Sequence, residues 1–265
     1  MFITIINDCH CQNAASRQST RVSSLFGITP TFLGVNSDIE AAGNLIDILD
    51  VAQNEEGYIL VNVAPRGEYK KWENGTPFGY FKYRNVTVFT SISGYTLSLI
   101  KKLKLADSIE LFDIPTVMAD LYSKGIATQD QVDFISNTQF RSLEFLPRAA
   151  FWIHEGHNLP TTTYSLSEID DLKPTIWWID NFGNCKTTIL PSELESLKPE
   201  FVAKIAELPF HTRLTDVAKG TASLTQGSSG IQDFRFVEIV VQRGRANEHF
   251  GFKTGDDLTL KAELK

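Results

Sequence analysis

Tyr58 to Val63 reads YILVNV, a run in which nearly every side chain is apolar. Successive side chains of a strand point to opposite faces, so such a strand has to be covered on both sides. A sheet layered by helices does this, and the neighbouring sequence supplies the layers. Phe2–Asn7 (FITIIN) and Thr31–Val35 (TFLGV) read as two further strands. After the second comes Ser37-Asp38-Ile39-Glu40, a serine followed three residues later by a glutamate, which is a capping box. Ile39, Ala42, Leu45, Ile46 and Leu49 then recur at the helical period. Strand, helix, strand in that order marks an α/β layer.

The pattern continues with strands within Tyr80–Thr90, a helix over Gly94–Leu105, and a strand from Ile109 to Ile114 that stops at Pro115. Thr128 and Gln131 form a second capping box ahead of Val132 and Ile135. Residues 157–173 are polar and rich in turn formers, and are expected to link two domains. Beyond them Thr175–Ile179, Lys186–Leu190, Phe236–Val241 and Leu258–Ala262 are β-like, and only Ser192–Leu208 looks helical, with a break at Pro199. The expected fold is an α/β N-terminal domain with a largely parallel sheet (1–156), the linker, and a smaller, mainly β, barrel-like C-terminal domain (174–265).

Composition narrows the function classes. The formal net charge is −7 and basic residues form no long cluster, so no nucleic acid is expected as partner. The longest apolar runs fall far short of a membrane span, and the N-terminus lacks a basic region and cleavage site, so neither membrane nor secretion is expected. Three cysteines fit free thiols in a reducing cytoplasm. Cys9-His10-Cys11 is too tightly spaced for a structural zinc site, and His154-Glu155-Gly156-His157 lacks the spacing of a helical metal pair, so no metal is expected. Gly-x-Ser-x-Gly, a Walker loop and Gly-x-Gly-x-x-Gly are all absent.

Ile179-Asp180-Asn181-Phe182-Gly183-Asn184 is good turn chemistry, yet its aromatic and paired polar groups also suit a ligand pocket. Local physics leaves both readings open, and Gly227-Ser228-Ser229-Gly230 taken alone is a turn. In order along the chain, however, these pieces resemble the S-adenosylmethionine (SAM) hydroxide adenosyltransferase family, which includes SAM-dependent fluorinases and chlorinases. Ile179-Asp180-Asn181-Phe182-Gly183-Asn184-Cys185-Lys186-Thr187-Thr188-Ile189 matches the family's Ile-Asp-x-Phe-Gly-Asn-x-x-Thr-Asn-Ile signature at all specified positions but Thr188. Gly227 to Gly230, Val237-Glu238-Ile239-Val240 and Phe250-Gly251-Phe252-Lys253-Thr254-Gly255-Asp256 follow it in family order. The N-terminal half is more eroded: Asp8 stands at the family's first-strand aspartate, and Asp38-Ile39-Glu40-Ala41-Ala42 at its Asp-Ile-x-x-Ala-Ala helix.

The resemblance implies that Asp8 holds ribose hydroxyls, Asp180 the ammonium of SAM, and Ser228 and Ser229 its carboxylate. It likewise implies adenine contacts by Phe182, Asn184 and backbone near Ala246. It implies a homotrimer with each site between subunits, SAM or adenosine as ligand, no further cofactor, and hydrolysis of SAM to adenosine and methionine. The family's water-orienting aspartate, arginine and histidine are not retained: Ala64 and Lys71 occupy the first two positions, and Asp113 marks the nearest remnant of the third. A protein that binds without turnover is therefore the alternative.

Overall fold

In the computed structural model, residues 1–64 and 76–259 are described. The chain divides into two compact units, Met1–Ala41 with Ala52–Asp170, and Ala42–Val51 with Asp171–Lys265.

The first unit runs β1 (Phe2–Asn7), α1 (Gln12–Phe26), β2 (Thr31–Gly34), the start of α2 (Asp38–Ala52), β3 (Gly57–Asn62), β4 (Phe78–Tyr83), β5 (Val86–Ser91), α3 (Ser98–Lys102) and β6 (Ser108–Leu111). It continues through α4 (Ile114–Ser123), α5 (Gln129–Asn137), α6 (Arg141–Glu144), α7 (Leu146–His154) and β7 (Thr162–Ser165). Its seven strands lie in the order β2-β1-β3-β5-β4-β6-β7. The first four are mutually parallel, and the last three extend the sheet by antiparallel pairing. The apolar run of β3 sits between β1 and β5, with Ile59 and Val61 fully buried and Leu60 nearly so. Tyr58 and Leu60 join Ile3, Ile5, Phe89 and the helix residues Val117, Leu121 and Leu146 in one core cluster. Glu144, itself buried, accepts from Arg21 Nη2 at 3.1 and 3.0 Å and from Arg148 Nη1 at 2.8 Å, tying α1 to α6 and α7.

One capping box forms in full and the other in half. Glu40 N–H donates to Ser37 Oγ, although the Glu40 carboxylate reaches back to Asn36 N–H rather than to Ser37. At Thr128 both bonds are present. Three local expectations are revised. Pro115 does not merely end a strand: it sits in the first turn of α4, where a missing N–H costs nothing. The helix expected over Gly94–Leu105 is confined to Ser98–Lys102. Within 157–173, Thr162–Ser165 pairs with β6 as an edge strand of the first sheet, because its alternating Thr and Tyr suit a half-exposed edge.

The second unit carries β8 (Ile176–Ile179), β9 (Cys185–Thr187), α8 (Leu194–Leu197), α9 (Ala203–Ala206), β10 (Phe210–His211), β11 (Ala222–Ile231), β12 (Phe234–Val241) and α10 (Ala246–Phe250). Its five strands are ordered β10-β11-β12-β9-β8 and are mostly antiparallel. The Ser192–Leu208 helix is indeed interrupted, by a 3₁₀ turn at Lys198–Glu200 that contains Pro199. Of the strand expected at Leu258–Ala262, Thr259 bridges Phe201, and residues 260–265 lie outside the described residues.

Residues 42–51 of α2 group with this second unit, and Gly43 is the reason they fit: a Cβ there would overlap the ring of Trp177, which is 1 % exposed. Alanine gains about 1 kcal/mol over glycine in a helix interior, whereas forcing extra volume into a packed core costs roughly 1–3 kcal/mol. Steric overlap with an immobile indole wins. Gly43→Ala is expected to lower unfolding stability by about 1–2 kcal/mol, seen as a lower urea midpoint at unchanged m-value.

Candidate functional site

The carboxyl ends of parallel strands leave backbone groups and loop side chains converging on one edge, the usual place for a ligand in an open α/β sheet. Here that edge holds a cavity of about 210 Å³ lined by Asp8, Asn36, Asp38, Val63, Ala64 and Ser93, with Ser37. Asp8 directly follows β1, and its Oδ2 accepts from Ala64 N–H at 3.0 Å. Asn7, buried beneath it, accepts from Cys9 N–H at 2.7 Å and donates to Gln18 at 3.0 Å, which fixes the turn that presents Asp8. Asp38 Oδ2 accepts from Tyr95 N–H at 2.7 Å. A Cβ on Gly94 would overlap that carboxylate, and φ there is +53°, so the turn needs glycine on both counts. The cavity is thus carboxylate-rich, with Ala64 adding only a methyl group to its lining. Cys9 and Cys11 are exposed free thiols, and His10 Nε2 lies 3.2 Å from Asn36 Oδ1.

In the second unit, the Asp180 loop joins β8 to β9 and is largely self-organised. Asp180 Oδ1 accepts from the N–H groups of Phe182 and Asn184, both at 2.9 Å, and Oδ2 accepts from Asn184 Nδ2 at 3.0 Å. Gly183 adopts φ +84° and its carbonyl accepts from Asn247 N–H at 3.0 Å, docking the loop on the start of α10. Ala246, the first residue of α10, is fully buried, while Phe182 is 68 % exposed and free to meet a flat partner. Asn184 keeps its Oδ1 and one amide hydrogen beyond these bonds. Burial pushes the Cys185 thiol up to about 12, with Asp180 adding to the effect, so this cysteine stays protonated and unreactive.

The two serines of the Gly-Ser-Ser-Gly turn differ. The turn interrupts the β11–β12 register between Gln226 and Gly230. Ser228 is exposed. Ser229 is 1 % exposed and committed: its Oγ donates to Asp47 Oδ2 at 2.8 Å and accepts from Lys186 Nζ at 2.7 Å, while Gly230 N–H donates to Asp47 Oδ1 at 2.9 Å. The turn therefore binds a carboxylate, supplied by the chain itself. Glu238, opposite Lys186 on β12, accepts from Ser228 N–H, but its Oε1 is buried with no partner among the described residues. Desolvation raises the Asp47 and Glu238 carboxyls above their ordinary values; Lys186 partly offsets this, and their mutual proximity and Asp180 add to it at Glu238.

Asp47, Lys186 and Glu238 were not singled out from sequence. A lone glutamate amid the buried residues of FRFVEIVV was the available signal, since an unpaired polar side chain in such a run needs a reason. Asp113 is placed apart from Asp8 and Ala64. It follows β6, four strand positions from β1, about 19 Å at the usual spacing. It caps α4 by accepting from Thr116 N–H and lines a different cavity. Lys71 lies outside the described residues.

The chain thus combines an α/β unit with a cavity at its strand ends and a β unit that carries an Asp-x-Phe-Gly-Asn turn between β8 and β9. Residues 174–259, about a third of the chain, match the SAM hydroxide adenosyltransferase C-terminal domain. No curated protein matches the chain. Two solved structures are similar along nearly the whole chain. An uncharacterized conserved protein from Thermotoga maritima has a TM-score of 0.65 at 14 % identity, covering 96 % of this chain and 98 % of its own. A conserved hypothetical protein from Thermus thermophilus has a TM-score of 0.60 at 17 % identity, with 96 % and 97 % coverage. At these identities the likeness establishes the fold. Among the described residues no helix is long and apolar enough to cross a membrane.

The raised carboxyls give a sign for pH dependence. Groups bound more tightly by protons in the folded state cost stability above their folded range, and that cost is relieved as pH falls through it. Glu238→Gln is expected to be more stable than the parent at pH 7.5. That advantage shrinks as pH drops through the raised Glu238 range and vanishes below the ordinary carboxylate value, as measured by urea unfolding of both proteins across pH.

Proposed function

We propose that the chain binds SAM, or its adenosine part, at an interface between subunits of a cytoplasmic homotrimer, and that its reaction is hydrolysis of SAM to adenosine and L-methionine. The observation that carries this reading is the Asp180 loop. Its carboxylate is held in place by three hydrogen bonds within the loop before any ligand arrives, so the charge is oriented without further ordering cost. Oδ2 retains a lone pair for the ammonium of SAM. Asn184, with a free carbonyl oxygen and a free amide hydrogen, suits the N6 and N7 edge of adenine. Phe182 offers an exposed ring to the base. Asp8 accepts from vicinal ribose hydroxyls. Ser228, exposed at the turn, takes the carboxylate end, whereas Ser229 keeps Asp47 in place.

Hydrolysis would form a bond from water oxygen to ribose C5′ as the C5′–S bond breaks. Neutral methionine leaves from a sulfonium, and the water proton passes to solvent. Such a leaving group needs no acid, so positioning and desolvation supply the rate. The second reading, binding without turnover, is favoured by Ala64, whose backbone rather than side chain is what meets Asp8. Loss of one acid–base contribution costs about 10²–10⁴ in rate.

Asp180→Asn preserves an acceptor for the loop but removes the charge. It is expected to weaken SAM binding about 10- to 100-fold in calorimetry, the worth of a charge-assisted hydrogen bond. Asp8→Ala is expected to abolish methionine release. Saturable binding with no methionine after long incubation selects the second reading, and absence of binding by both SAM and adenosine overturns both.

A further inference from the structure

The cavity beside α4 is larger than the one at Asp8, about 610 Å³, within the range of small-molecule sites. Its walls include Phe78, Phe112, Asp113, Ser136 and Arg141. Phe78 and Phe112 are each 4 % exposed, so the apolar floor is firmly packed, and Phe112 stacks on Tyr80 with centroids 5.5 Å apart.

Three polar residues on these walls, Asp113, Ser136 and Arg141, keep hydrogen-bonding capacity. The Arg141 guanidinium lies over the Phe78 ring at 5.8 Å and has no hydrogen-bond or ion-pair partner among the described residues. Burial lowers its pKa below the ordinary arginine value. By contrast, the two other arginines of this region, Arg21 and Arg148, both reach the Glu144 carboxylate. Asp113 uses Oδ2 for Thr116, through its N–H and hydroxyl, and leaves Oδ1 uncommitted. Ser136 Oγ is buried without a partner. Arg141 and Asp113 line the same cavity yet do not pair with each other. A half-buried guanidinium without an anion is costly, and its planar fork matches a carboxylate. A free carboxylate oxygen on the same cavity disfavours a dianion and suits a cation.

We propose that this cavity is a binding site for a zwitterionic α-amino acid with an apolar side chain, its carboxylate on Arg141, its ammonium on Asp113 and its side chain on the Phe78 and Phe112 wall. The site lies wholly within the first unit and does not rest on the SAM reading.

The test uses the full chain and calorimetry or saturation-transfer NMR with L-phenylalanine and L-leucine, alongside 3-phenylpropionate and phenethylamine, which each lack one charge. Both amino acids are expected to bind saturably, and each single-charge analogue about tenfold more weakly than L-phenylalanine. Arg141→Met is expected to weaken L-phenylalanine at least about tenfold with unchanged thermal midpoint and unchanged SAM binding. Asp113→Asn keeps the helix cap and is expected to weaken L-phenylalanine but not 3-phenylpropionate. Asp180→Asn is expected to leave amino-acid binding intact, which separates this site from the SAM site. Failure of both amino acids to bind at millimolar concentration, equal binding of 3-phenylpropionate, or binding unaffected by Arg141→Met overturns the proposal.

Discussion

The Asp47 carboxylate is the contact on which the second unit's Gly227–Gly230 turn depends. Two donors bond it, the Ser229 hydroxyl and Gly230 N–H, and the Lys186 ammonium pairs with it at 3.9 Å. Burying a carboxylate is expensive unless it is paired and hydrogen-bonded, and here both conditions are met, although desolvation still raises its pKa. Asp50, one helical turn on, repeats the arrangement with Arg235 at 2.7 Å and Gln232 N–H at 2.8 Å. Arg235 in turn donates to the carbonyls of Ser228 and Gly230. The irregular segment of β11 therefore gains from α2 the partners that its interrupted register withholds. That is why Ala42–Val51 belongs with this unit rather than with the sheet that precedes it in the chain.

In the first unit the corresponding constraint is parallel pairing. Asn7 sits opposite Asn62, and Val61 opposite Thr90, so Asp8 and Val63 emerge side by side, with Ser91 one position behind them at the level of Asn62. Ser91 Oγ donates to Val63 O at 3.1 Å, and Asp8 accepts from Ala64. The cavity is thus a product of register: a two-residue slip in β3 would carry Ala64 and its N–H away from Asp8.

Much of this was legible locally. The apolar strands announce themselves by composition, and both capping serine and threonine residues by their spacing from an acid or amide. The Asp180 loop was legible too, because its bonds close within five residues. Helix α1 was not: Gln12–Phe26 is rich in Ser, Thr and Gln, and only Gln18 and Val22 are buried, so there is no apolar stripe to read. Asp47 was invisible for a different reason. Its partner Ser229 is 182 positions away, and Asp47 taken in its own helix is an ordinary surface acid. The same holds for Arg141 and Asp113, which share a cavity only because α5 and α6 return to the end of β6. Local chemistry is printed in the sequence, whereas charge pairing across the chain is not.

The Asp180 loop and the position of Ala64 differ in what the fold asks of their side chains. Asp180 and Asn184 are retained in a loop whose own stability uses them: removing Asp180 would strand two backbone N–H groups and the Asn184 amide. Selection on folding alone would preserve them. The position of Ala64 carries no such burden, since Asp8 is satisfied by the backbone N–H there, which any residue but proline supplies. A water-orienting side chain at that position could therefore be lost without cost to the fold. The Asp180 loop thus couples its own folding to the groups it presents, whereas the backbone contact at Ala64 leaves that side chain free to vary.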